Sequence, residues 1–147
     1  MQAFSIIAAA ALVLSTTTMA GLVPRGGGFY ASCGAPLRGG EAGTVTFLCP
    51  NDEGKTIQSI LNVNQCIGNQ NGQLVLQAGG GFVAGCKWGQ CAIGAFDSDR
   101  GYVNTALNCA ECGDGQGNWV QSAIDLNDFV VNRNGLTMCF DVVSEKA

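Results

Sequence analysis

The sequence predicts a mainly β domain, built as a pseudosymmetric tandem repeat with short helical turns and up to four disulfides. Three observations carry this expectation. First, residues 49–74 and 112–137 are two copies of one pattern, 63 positions apart. One copy runs Cys49, Leu61-x-Val63-Asn64, Ile67, Asn69-x-Asn71-Gly72; the other runs Cys112, Ile124-x-Leu126-Asn127, Val130, Asn132-x-Asn134-Gly135. Second, eight cysteines, an even number, follow an apolar N-terminal segment, which points to disulfides in an oxidising compartment. Third, 22 glycines punctuate short apolar runs, and no segment has the 3.6-residue stripe of a long helix.

In chain order, Ile6–Leu14 is an apolar run, and Thr18-Met19-Ala20 puts small residues before Gly21. Residues 1–20 therefore predict a secretory signal peptide, too short to span a bilayer. Residues 21–28 predict a flexible lead-in ending in Gly26-Gly27-Gly28, with Arg25 in a stretch open to a trypsin-like protease. The domain is expected over 29–147, with repeat 1 over about 29–78 and repeat 2 over about 79–147.

Each repeat is expected to open on a matched entry strand, Phe29-Tyr30-Ala31-Ser32-Cys33 and Phe82-Val83-Ala84-Gly85-Cys86, in register 53. The change of register gives repeat 2 about ten extra residues between Cys86 and Cys112. In repeat 1, strands are expected at Thr44–Leu48, Ile57–Val63 and Gln73–Gln77. In repeat 2 they are expected at Tyr102–Leu107, Trp119–Leu126 and Thr137–Val143. Asn64–Asn69 and Asn127–Asn132 each suit a single helical turn. Asn71-Gly72 and Asn134-Gly135 predict type I′ hairpins, because both central residues need positive φ. Trp119, just before a core strand, is expected to be buried, and Trp88, in the insertion, to be exposed.

Several functions are excluded or disfavoured. The chain has no histidine, so a histidine-based triad is impossible. Seven basic and eleven acidic residues argue against nucleic acid or an anionic membrane as partner. No later segment is apolar enough for membrane insertion. No cofactor is indicated. Cys86-x4-Cys91 with Cys109-x2-Cys112 approaches zinc-ribbon spacing, but behind a signal peptide disulfides are the simpler reading. Asp97-x-Asp99 lacks the distal glutamate of a calcium loop and the cleft partner of a glycosidase pair.

The repeat pairs Cys33 with Cys49 and Cys86 with Cys112, and leaves Cys91 with Cys109 inside the insertion. Exchange to Cys86–Cys109 and Cys91–Cys112 is the main rival. Cys66 and Cys139 remain, at non-equivalent positions. Their bond requires the last strand to cross back to the first half.

The repeated motif, most specifically Ser122-Ala123-Ile124-Asp125-Leu126-Asn127-Asp128-Phe129-Val130-Val131-Asn132-Arg133-Asn134-Gly135, resembles the cyanovirin-N homology family in a secreted, fungal-type form. The resemblance covers essentially the whole mature chain. It implies strand exchange between the halves, as a monomer or a strand-swapped dimer, and that topology supports a Cys66–Cys139 bond. It also implies a lectin, not an enzyme, whose partners are glycans or glycoproteins of mannose type, with one site per half. The matching positions are Asn51, Asp52 and Glu53 with Asn132, Arg133 and Asn134 in one site. In the other they are Asn69 and Asn71 with Asp114 and Gln116. The middle site departs from the family pattern at Gly68, at Ala84-Gly85 and in the glycine-rich Gly113–Gly117 loop. Asparagine before glycine serves turn geometry by itself, so the binding reading rests on the pairing of these asparagines with polar loops. The alternative is a disulfide-stapled secreted effector or toxin that uses the same fold without binding sugar.

Overall fold

The computed structural model describes residues 27–97 and 101–147. The expected signal peptide, most of the lead-in with Arg25, and Asp99 lie outside the described residues.

Strands β1 (Leu37–Arg38), β2 (Thr44–Pro50) and β3 (Thr56–Asn62) form an antiparallel sheet, to which the C-terminal β12 (Glu145–Lys146) adds an edge. Hairpin β4 (Ile67–Gln70)–β5 (Gln73–Leu76) follows. In repeat 2, β6 (Cys91–Asp97), β7 (Gly101–Gly113) and β8 (Trp119–Asp125) form a three-stranded sheet. It is followed by β9 (Val131–Arg133), β10 (Leu136–Cys139) and β11 (Val142–Val143). Among the described residues the only helical pieces are 3₁₀ turns, and no helix is long and apolar enough to cross a membrane.

The halves exchange hairpins within one chain. The β4–β5 hairpin of repeat 1 packs on β8, where the Leu74 amide donates to Ser122 Oγ at 2.8 Å. The β9–β10 hairpin of repeat 2 packs on β2 and β3, where Ser59 Oγ and Thr137 Oγ1 lie 3.5 Å apart. All eight cysteines are bonded, as Cys33–Cys49, Cys66–Cys139, Cys86–Cys112 and Cys91–Cys109. The rival pairing and the zinc reading are thereby excluded.

The duplication repeats in the packing. Phe29 and Phe82 are both buried at the start of their repeats. Phe47, fully buried and edge-on to Phe29 at 5.0 Å, pairs with Ser59 in β3. Cys109 pairs with Ser122, which lies 63 positions after Ser59, so the Cys91–Cys109 bond fills the core position of Phe47 in the second half. A bulge between Cys109 and Cys112 then restores the register of the repeat.

Some elements differ from expectation. The opening segments are 3₁₀ turns, Phe29–Ala31 and Phe82–Ala84, rather than strands. The turns before the hairpins span only Val63–Gln65 and Leu126–Asp128, so Asn69 and Asn132 sit on strands. Thr137–Val143 is broken at Phe140, whose φ of 50° turns the chain between β10 and β11. Strand β6 went unforeseen, because Ala92-Ile93-Gly94-Ala95 shows no alternation.

The tryptophans are the reverse of expectation. Trp119 is 54% exposed, because β8 turns Val120 toward the Gly72 hairpin and Trp119 the other way. Trp88 packs against the core beside Phe82, ring centroids 6.0 Å apart, with its Nε1 buried and unpartnered. Arg38 lies over the Trp88 ring and donates from Nη1 to the carbonyls of Trp88 (2.8 Å) and Cys91 (3.2 Å), tying the insertion to the first half.

Candidate functional site

In each half a polar turn of one repeat meets the hairpin tip of the other at the surface, forming a candidate site. In the first half the turn joins β2 to β3. Asn51 Oδ1 accepts from the amides of Glu53 (3.0 Å) and Lys55 (2.8 Å), closing an Asx turn. In the middle half Asp114 does the same, accepting at Oδ1 from the amides of Gln116 (2.7 Å) and Asn118 (3.0 Å), while Oδ2 accepts from Asn118 Nδ2 at 2.8 Å. Those bonds, the Asn118 side chain first, hold the Asp114 carboxyl below the usual carboxylate range.

The sign for Asp114 is that of a carboxylate with a depressed folded pKa. Its contribution is present above the unfolded pKa and lost as pH falls through the folded one. The 113–119 turn should therefore keep slow amide exchange at Gln116 and Asn118 below the pH where an ordinary aspartate protonates. Exchange by NMR across an acid titration checks this, and release at the ordinary aspartate pH would contradict it.

The hairpin tips are true type I′ turns, with φ of 50° and 86° at Asn71-Gly72 and 52° and 85° at Asn134-Gly135. Glycine is required twice over, since a Cβ on Gly72 would strike Val120 and one on Gly135 would strike Ile57. Val120 and Ile57 are equivalent residues of the two repeats.

The structure brings together both predicted groupings. Asn134 Oδ1 accepts from the Asp52 amide at 2.8 Å. Asn132 donates from Nδ2 to Pro50 O (3.1 Å) and Ser32 Oγ (3.2 Å) and accepts at Oδ1 from the Gly135 amide (2.9 Å). Asn69 repeats this, donating to Gly113 O (3.0 Å) and accepting from the Gly72 amide (2.9 Å). Asn71 lies with its Oδ1 beside Gly115.

The side chains of Asn51, Asn69, Asn132 and Asp114 are thus occupied in building the site. The groups facing water in the first half are Asp52, Arg133 and the Glu53–Lys55 ion pair (3.1 Å). A cleft of about 390 Å³ continues from Asn132 and Arg133 over Phe129, Met138 and Phe140 to Asp141. In the middle half the exposed polar side chains are Gln70, Asn71, Gln116 and Asn118, none of them charged.

Three participants went unrecognised in the sequence. Ser32, which accepts from Asn132, sits in the opening segment, and its equivalent Gly85 offers Asn69 no hydroxyl. Asn127 Oδ1 accepts from the Tyr30 amide and Asn64 Oδ1 from the Val83 amide, both at 3.0 Å, so these motif asparagines anchor the start of each repeat. Their recurrence 63 positions apart, in step with the cysteines and hairpins, was the available signal.

Residues 29–137 match the CVNH domain. Among solved structures, the CVNH protein of Gibberella zeae is similar at 20% identity and TM-score 0.59, over 76% of this chain and 95% of that one. A MoCVNH3 variant solved with (N-GlcNAc)4 is similar at 17% identity and TM-score 0.57, over 78% of this chain and 97% of that one. Microvirin, solved as a mannobiose complex, is similar at 19% identity and TM-score 0.59, over 78% of this chain and 99% of that one. No curated protein matches the chain.

Proposed function

The chain belongs to the CVNH domain family, and from that premise we propose that it is a secreted carbohydrate-binding protein whose first-half site takes mannose-type glycans. Secretion is supported by four disulfides, which persist in oxidising compartments. The observation that carries the binding reading is the composition of the first-half site. Asp52, Glu53 and Arg133 are exposed on the two segments joined by the Asn134–Asp52 bond, and Arg133 lines a cleft with an apolar floor. Carboxylate, amide and guanidinium groups supply the acceptors and donors that adjacent sugar hydroxyls need. Complexes of similar proteins with mannobiose and (N-GlcNAc)4 fit this class of ligand.

The decisive test is a glycan array with the oxidised protein, followed by calorimetry on the hits. Arg133→Ala should weaken mannose-type binding about tenfold or more. It should leave the melting temperature unchanged, because Arg133 is exposed. Binding that survives Arg133→Ala together with Glu53→Gln would move the site elsewhere. One observation favours the second reading, a secreted effector that binds no sugar: the motif asparagines are already committed to hydrogen bonds of the fold, so the fold alone would preserve them. An array silent for every glycan, with all four bonds formed, would select that reading.

A further inference from the structure

The middle half carries an exposed cluster with no counterpart in the first. Trp119 stands opposite Gly113 at the start of β8, next to the turn that holds Asp114 and Gln116. Lys87 Nζ lies 4.4 Å from the centroid of the Trp119 ring and is ion-paired with Glu111. The indole is thus met by an ammonium, yet the residue is 54% exposed, so about half of the side chain remains open to water. The equivalent first-half residues are Thr56, Gly34 and Leu48, so nothing there can form an aromatic platform.

An indole fixed this way costs solvent contact with large apolar area unless something covers it. Its ammonium partner holds the ring in one orientation, and the cation–π contact is worth keeping only where both groups stay put. Beside the ring, the Glu111 carboxylate and the Gly113–Asn118 turn offer acceptors and donors at the edge of the platform.

We propose that Trp119, with Lys87 and Glu111, forms a stacking subsite of the middle half for β-linked, gluco-configured pyranoses. In such sugars every ring substituent is equatorial, so each face presents only axial C–H bonds to an aromatic ring. Mannose carries one axial hydroxyl, which spoils one of its faces. The proposal rests on the carbohydrate-binding reading above and gives the two halves different preferences.

The chain has two tryptophans, so fluorine-labelled tryptophan gives two NMR signals, one of which disappears in Trp119→Phe. Titration of the labelled, oxidised protein with cellotetraose should move the Trp119 signal and leave the Trp88 signal in place. Trp119→Ala should weaken cellotetraose binding about tenfold, while Trp119→Phe, which keeps a stacking face, should stay within about threefold. Mannobiose binding should be unchanged in both. Cellotetraose binding that ignores Trp119→Ala, or that moves only the Trp88 signal, would overturn the subsite. So would absence of cellotetraose binding by the folded protein. Mannobiose binding that persists in any of these cases would leave the carbohydrate reading standing while the subsite falls.

Discussion

Replacing Cys66 and Cys139 together with alanine should lower the unfolding free energy by about 4 kcal/mol, measured by denaturant titration. The bond closes 73 residues, the longest loop of the four, and so removes the most conformational freedom from the unfolded chain. It is also the bond that joins the end of the exchanged β10 strand to the turn following β3. Two chains that traded hairpins would carry it between molecules and would migrate as a covalent dimer without reductant. A loss near zero would mean that packing alone holds the exchange and that the unfolded chain gains nothing from release of the loop.

Asn132→Ala should cost about 3 kcal/mol, a large effect for a half-buried polar residue on a surface hairpin. Its amide satisfies Pro50 O from the opposite repeat and its carbonyl satisfies the Gly135 amide inside the turn. Truncation leaves both backbone groups short of a partner where water has poor access. Asn69→Ala should cost somewhat less, because Asn69 lacks the hydroxyl contact that Ser32 gives Asn132. Comparison of the two melting curves with that of Arg133→Ala separates building from binding. Stability losses equal across all three would contradict the division of labour described for the site.

The repeat made much of this fold legible. The recurrence of cysteines and hairpins between the copies, at offsets of 53 and 63, is a property of the linear sequence, and it pointed to two disulfides and both type I′ turns. The Cys66–Cys139 bond was left over by elimination, and only the family resemblance supplied the strand exchange it needs, because that exchange leaves no periodic mark. The roles of Asn64, Asn69, Asn127 and Asn132 were hidden for a related reason. Their partners are mostly backbone atoms of the other repeat or of a distant turn, and a backbone carbonyl has no letter in the sequence. The tryptophans were misplaced by position alone. Trp119 was placed by its nearness to a core strand, but at the start of that strand Val120, not Trp119, faces the Gly72 hairpin; Trp88 lies in the insertion, but Arg38 and Phe82 from outside it enclose the ring.

Because each hairpin tip completes the turn of the opposite repeat, neither repeat owns a site. The Asn134 tip of the second repeat meets Asp52 of the first, and the Asn71 tip of the first meets Gly115 of the second. A fragment holding one repeat contains two half-sites and no whole one. Selection on one ligand therefore acts on both copies of the duplication at once. The positions that the hairpins touch differ between the halves, Asp52 against Gly115 and Pro50 against Gly113, so the halves differ inside the shared sites as well as at Trp119, Lys87 and Glu111.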